Sequence, residues 1–199
     1  MANRYNIKEL ILYIEALFLA AGMDADKSAI VAQLLVEADL MGHTTHGIAQ
    51  APAYLSGLEN GLMLGTGNPI TVSDRGATIT WDGQRICGVW LTAMAIDLSV
   101  DRAKKYGTAT MAIRRSGHIA CLAAFLTRAT DKGCMIELAS SDPSIVSVAP
   151  YGGTKPAFTP NPIAIGIPTN KNPILIDISA SITTNGLTGR LFSEGKKLP

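Results

Sequence analysis

Apolar residues recur at helical spacing from the start of the chain. Leu10, Ile11, Ile14, Leu17 and Phe18 fall on one face behind Asn6, which can cap a helix, and Gly22 closes the run. A second helix is predicted from Asp24 or Asp26, with Ile30, Val31, Leu34, Leu35 and Ala38 on its apolar face and Gly42 at its end. A third, short helix covers residues 52–58, before Gly61, so the first sixty residues are predicted to be helical. The pattern then changes period. Residues 70–72 and 77–81 read as short strands with a turn at 74–76, and Asp82-Gly83 ends the pair. Residues 90–106 read as a helix stopped by Gly107, 108–113 as a strand, 119–132 as a helix stopped by Gly133, and 135–139 as a strand. Strands alternating with helices predict a sheet with helical crossovers. From Ser140 the rhythm breaks. Ser141-Asp142-Pro143, residues 150–153 and Pro160-Asn161-Pro162 mark loops, with strands expected at 163–167 and 174–178 and no terminal element after them. The division expected is an N-terminal helical segment, 1–66, followed by an α/β domain, 67–199.

Composition narrows the function. Apolar residues make up 47% of the 199, enough for a packed core. The net charge of +1, the lack of a basic run and an aromatic content of 6% give no face for nucleic acid. The N-terminal residues lack the basic region, apolar run and cleavage site of a signal peptide, and no apolar stretch reaches bilayer length, so no membrane partner is expected. Cys87, Cys121 and Cys134 are odd in number and widely spaced. They read as buried thiols in a reducing compartment, with the cytoplasm as the expected location.

Candidate chemistry concentrates in residues 38–47, which hold two of the three histidines, His43 and His46, between Gly42 and Gly47. Histidine titrates nearest neutrality and is suited to moving protons. The i, i+3 spacing could begin a metal site, but zinc wants three or four ligands, and the only other histidine is His118. An acid/base role is the preferred reading, with no metal. His118 follows the strand 108–113 and is expected to open the next helix. Ligands gather at such strand ends, and the helix dipole would disfavour the imidazolium there; a plain capping role stays open beside this. Asp177 ends a strand and precedes Ser179, Ser181, Thr183 and Thr184. It could orient a histidine by accepting its second N–H, or simply cap the following turn. A Thr45–His46–Asp177 nucleophilic set lacks a Gly-x-Ser-x-Gly elbow. Gly65-Thr66-Gly67 fails as a dinucleotide fingerprint, because it lacks the third glycine and the strand–turn–helix context. Ser141-Asp142 and Gly152-Gly153 could offer hydroxyl, carboxylate and N–H groups to a phosphate or ribose.

Taken together, three ordered segments resemble the type-2 malate/L-lactate dehydrogenase family, the non-Rossmann NAD(P)-dependent oxidoreductases that include ureidoglycolate dehydrogenase. The segments are residues 38–47 with Tyr54, Leu58 and Gly61; Ser116-Gly117-His118; and the stretch from Ser141-Asp142-Pro143 through 149–153 and Asn161-Pro162-Ile163-Ala164 to Asp177-Ile178-Ser179. The resemblance implies a mixed α/β fold unlike the Rossmann fold and a homodimer. It implies hydride transfer between NAD or NADP and a small 2-hydroxy or 2-oxo acid of malate, lactate or ureidoglycolate type, or in some members a cyclic imino acid. It implies catalytic roles for His46, His118 and Asp177, a cofactor-binding set of Ser141, Asp142, Asn161, Asp177, Ile178 and Ser179, and substrate contacts at Thr45 and Gln50. Departures from the family pattern are Thr45 for serine, Gln50 for an arginine able to hold a carboxylate bidentately, Thr159-Pro160 for Gly-Thr, and Leu187 for lysine. Family members continue past the point matching Pro199, so a truncated chain is expected. The alternative readings are a non-catalytic remnant and a cyclic imino-acid reductase.

Overall fold

The computed structural model describes residues 4–197. Asn6 caps α1 (Ile7–Ala20), its Oδ1 accepting from the Lys8 N–H at 2.9 Å and the Glu9 N–H at 3.3 Å. Gly22, at φ 84°, turns the chain into α2 (Ala25–Leu40), and Gly42, at φ 87°, ends that helix where the sequence places its stop. A 3-10 turn (Ile48–Gln50) leads into α3 (Ala51–Glu59). Strands β1 (Ile70–Asp74) and β2 (Thr78–Asp82) pair antiparallel with a bulge between Thr71 and Ser73. Helix α4 (Gly88–Tyr106) then crosses to β3 (Thr110–Arg114), which lies parallel to β2 with Trp81 opposite Ile113. This βαβ unit is the crossover the alternating pattern predicts.

The expectation of one sheet is corrected. Strands β4 (Ile136–Ala139), β5 (Ile163–Ile167) and β6 (Ile174–Ile178) form a separate, wholly antiparallel sheet in that order. Period-2 patterning specifies a strand but not its neighbour, so the split was invisible in the pattern. The helix predicted over 119–132 is also corrected: α5 spans only Ala123–Thr130. Ala120 sits at φ 55°, a left-handed conformation that cannot continue a helix. His118 therefore lies in an irregular loop ahead of α5 and does not open it. A sixth helix, α6 (Asn185–Ser193), was not predicted; Gly186 and Gly189 weaken its propensity, while Thr184 Oγ1 caps it by accepting the Leu187 N–H at 3.1 Å.

One buried cluster joins α1, α2, α4 and α5, and draws residues from both sides of residue 66. Phe18, Val31, Leu35, Ile86, Leu91 and Phe125 are its inaccessible centre. Cys87 and Cys121 are buried and Cys134 is half-buried, all as free thiols. Helix α5 packs on the second sheet through Gly166, where a Cβ would crowd Leu126 and Thr130. Among the described residues, no helix is long and apolar enough to cross a membrane.

Candidate active site

The turn after α2 is built by its own backbone. The His43 N–H donates to Ala38 O at 2.9 Å, and the His46 N–H donates to His43 O at 2.8 Å. Asp39 reaches back over Gly47, its Oδ2 accepting from the Ile48 N–H at 2.7 Å. A Cβ on Gly47 would overlap that carboxylate, which is why a glycine follows His46. Gln50 Nε2 donates to Thr45 O at 2.7 Å, and Thr45 Oγ1 lies 2.9 Å from His46 Nδ1. From α6, Arg190 donates to Thr44 Oγ1 and Thr44 O, both at 3.1 Å, and ties the turn from its outer side. The Gln50 amide, expected to contact substrate, is thus engaged with the loop backbone.

His118 is held by a different route. The Gly117 N–H donates to Ile86 O at 3.0 Å, and Gly117 and His118 lie against Gly88 at the start of α4, where any Cβ would overlap their carbonyls. Buried Tyr54 of α3 places its hydroxyl 2.8 Å from His118 Nδ1. The Ala120 N–H also donates to Nδ1, at 3.4 Å. An accepting Nδ1 assigns the proton of the neutral ring to Nε2. These two anchors bring the His118 ring to 5.9 Å, centroid to centroid, from that of His46.

Asp177, on β6, supplies the charge. Its Oδ2 accepts from the Ala123 N–H, at the start of α5, at 2.9 Å, and from Cys121 Sγ at 3.8 Å. Among the described hydrogen bonds none joins Asp177 to His46, so the expected orienting bond is replaced by a through-space effect. Desolvation lowers the His46 pKa, the Asp177 carboxylate partly offsets this, and His43 lowers it further. His118 is lowered to about 4, by desolvation first and the His46 ring second, with Asp142 pulling the other way. The residue keeps an exposed face, so solvent moderates the effect; the direction makes both imidazoles neutral at pH 7. Burial raises the Tyr54 phenol well above its usual value, which keeps its proton on the hydroxyl.

The residues expected to bind the cofactor gather at one end of the second sheet. Ala139, Ile163 and Ile178 are in register across β4, β5 and β6. That register sets Ser141, Asn161 and Ser179 just beyond the strand ends. Ser141 Oγ donates to Asn161 Oδ1 at 2.8 Å, Asn161 takes φ 45°, and Ser179 Oγ donates to Ser181 O at 3.2 Å. Asp142 Oδ1 accepts from the Ser144 N–H and hydroxyl, an Asx turn, and Ile178 is exposed. Neutral amide and hydroxyl groups beside exposed aliphatic carbon fit the carboxamide and ribose of a nicotinamide nucleoside. Ser141, Asp142, Asn161 and Ser179 carry no cationic group for a phosphate.

A family model described as malate/L-lactate dehydrogenase matches residues 5–199. The chain belongs to that family. It is 27% identical over 197 residues to an L-sulfolactate dehydrogenase of Methanothermobacter thermautotrophicus, covering 98% of this chain and 57% of the relative. It is 30% identical over 192 residues to a Delta(1)-pyrroline-2-carboxylate/Delta(1)-piperideine-2-carboxylate reductase of Pseudomonas syringae pv. tomato, covering 96% and 55%. The malate dehydrogenase of Entamoeba histolytica superimposes with a TM-score of 0.93 at 26% identity, covering 100% of this chain and 55% of that one. The fold is therefore that of the malate/L-lactate dehydrogenase family, as the sequence resemblance implied. The chain spans about half the length of the curated relatives it matches.

Two site residues carried no chemical signal of their own in the sequence. Tyr54 entered only as part of a matched segment, although a buried tyrosine hydroxyl in general needs a partner. Arg190 sits far from the histidines in sequence, and nothing local marks it.

Proposed function

We propose that this chain carries the proton-transfer side of a nicotinamide-dependent oxidoreductase acting on small 2-hydroxy or 2-oxo acids. The observation that carries this reading is the His46–His118 pair, two imidazoles 5.9 Å apart whose surroundings favour the neutral form of each. An oxygen hydrogen-bonded to an imidazole nitrogen lies roughly 4 Å from that ring's centroid, so rings 5.9 Å apart can share one oxygen when a nitrogen of each turns to it. When bound, a nicotinamide, NAD or NADP, accepts or donates the hydride. The protein must then take up the hydroxyl proton in the oxidation direction and return it in reduction. In this reading His118, with its proton on Nε2 and Nδ1 held by Tyr54, hydrogen-bonds the substrate oxygen. His46 accepts the proton, and Asp177 stabilises the resulting imidazolium through space. Ser141, Asp142, Asn161, Ile178 and Ser179 would hold the nicotinamide nucleoside beside the pair, and Thr45 and Gln50 would shape the substrate side.

The relative named as a cyclic imine carboxylate reductase, 30% identical, favours one second reading, with a ring imine in place of the oxo group. The same histidine pair would serve it, since either reduction needs one proton. A homodimer in the cytoplasm belongs to the same proposal. The test is oxidation of NADH and NADPH by the chain with 2-oxo acids and with a cyclic imine, repeated with H46N and H118N. At least a hundredfold loss of turnover in each variant is expected, with nucleotide binding retained by tryptophan quenching. Turnover unchanged in both variants excludes the proposed roles.

A further inference from the structure

His43 stands apart from the proton-transfer pair. Its ring faces two groups of different chemistry that the sequence keeps far away, the buried thiol of Cys121 and the carboxylate of Asp177. One ligand atom from each of the three lies within 4.8 Å of the other two, and Cys121 Sγ is 3.8 Å from Asp177 Oδ2. In a tetrahedral zinc site, bonds of about 2.0–2.3 Å put neighbouring ligand atoms roughly 3.3–3.7 Å apart. The thiol–carboxylate distance is already close to that, and the imidazole needs a shift of about an ångström. The three side chains come from separate anchored pieces: the turn fixed by the His43 N–H on Ala38 O, the loop leading into α5, and β6 with Asp177 opposite Ala164. The sequence offered His43 and His46 as the start of a metal site and lacked the remaining ligands; the fold supplies two of them at His43 alone.

We propose that His43, Cys121 and Asp177 form a binding site for one divalent ion of the zinc class, with a fourth position open to water or another small ligand. Imidazole, thiolate and carboxylate together suit a borderline-soft ion and disfavour magnesium or calcium, which take oxygen ligands. On binding, the metal–sulfur bond replaces the Cys121 S–H bond and the proton leaves to solvent. The ion also occupies the Asp177 carboxylate, whose charge acts on His46. Under the function proposed above, on which this consequence alone rests, occupancy inhibits turnover.

Cobalt(II) reports the site directly, in the reduced full chain under anaerobic conditions. One equivalent is expected to give the intense visible absorption of four-coordinate cobalt together with a near-ultraviolet thiolate charge-transfer band. In C121S the near-ultraviolet band disappears and affinity falls at least tenfold. H43A also loses at least tenfold in affinity, and H46N binds as the wild type does. Circular dichroism of each variant reports folding. No saturable one-to-one binding, or a band that survives C121S, overturns the site. In a preparation that turns over, zinc at matching concentrations slows the wild type, and C121S requires at least ten times more. Equal zinc inhibition of both overturns the inhibitory role. A chain that binds cobalt in this pattern and never turns over supports the site while contradicting the proposed function.

Discussion

Replacing Gly88 with alanine tests how His118 is held. Gly88 is the first residue of α4, directly beneath the Gly117–His118 backbone. A Cβ there would overlap the Gly117 carbonyl and stand 2.7 Å from His118 O, against the 3.4 Å of ordinary van der Waals contact. The obstructing atoms are backbone, and the Gly117 N–H on Ile86 O at 3.0 Å keeps them in place, so no rotamer change relieves the clash. Overpacking of this kind costs about 1–3 kcal/mol. Alanine in place of glycine within a helix recovers at most about 1 kcal/mol. Because backbone is the obstacle, the cost falls in the upper half of that range, and the net expectation is a loss of about 1–2 kcal/mol, a fall in urea midpoint of roughly 0.5–1 M at a slope near 2 kcal/mol/M. The same loss lowers Tm by roughly 2–8 °C for a chain of this size. The loop must also retreat by about an ångström, which for a proton-transferring group costs on the order of a hundredfold in turnover. Urea unfolding followed by fluorescence of Trp90, two residues along α4, reads the stability. Gly189→Ala in α6 is the control. Nothing lies within 4 Å of its Cβ, so it should gain about 0.5–1 kcal/mol. A G88A protein as stable as the wild type, with His118 proton resonances unmoved, would refute the idea that α4 clamps this loop.

Tyr54→Phe keeps the buried ring but removes the hydroxyl at His118 Nδ1. We expect about 1 kcal/mol lower stability by urea unfolding and about tenfold slower turnover; wild-type values for both exclude a role for the hydroxyl. Stability should also depend on pH through His118. Its folded pKa, near 4, lies below the ordinary 6.5, so the unfolded chain binds the extra proton; the contribution is complete above 6.5 and is lost as pH falls toward 4. The lowered His46 acts in the same direction, and H118Q should flatten part of the fall in urea midpoint between pH 7 and 4.5, whereas a flat wild-type profile contradicts the desolvation argument. Arg190→Ala removes two hydrogen bonds of 3.1 Å to Thr44. Amide exchange in residues 43–47 should quicken about tenfold while the α4 core amides keep their rates; unchanged exchange in the turn means that α6 does not hold it.

What could be read from the sequence was what neighbours in the chain decide. Asn6 and Gly22 bound α1, Gly42 and Gly107 end α2 and α4, and each of these glycines takes the left-handed conformation its position demands. The histidines stood out as candidate proton carriers because their chemistry is intrinsic to the side chain, and the family was legible because its segments come in order. What was not legible depends on distant pairing. Tyr54 meets His118 across 64 positions, and Asp177 meets the Ala123 N–H across 54. The left-handed Ala120 breaks a helix that its residue types favour, at the end of the loop whose Gly117 and His118 backbone packs on Gly88.

The protonation state of the pair belongs to this second class. An isolated histidine near neutrality would be partly cationic at pH 7, and a cation beside a substrate hydroxyl is a poor base. His118 lowers its own charged form by burial and meets a second imidazole that lowers it further, while Asp177 restores part of the basicity of His46. The two rings thus sit in unequal surroundings, His118 with Tyr54 at its Nδ1 and His46 under the charge of Asp177, and under the proposed function the first would donate an N–H and the second would act as the base. That asymmetry, which the sequence could not express, is what the proposed reversible proton transfer at one substrate oxygen would need.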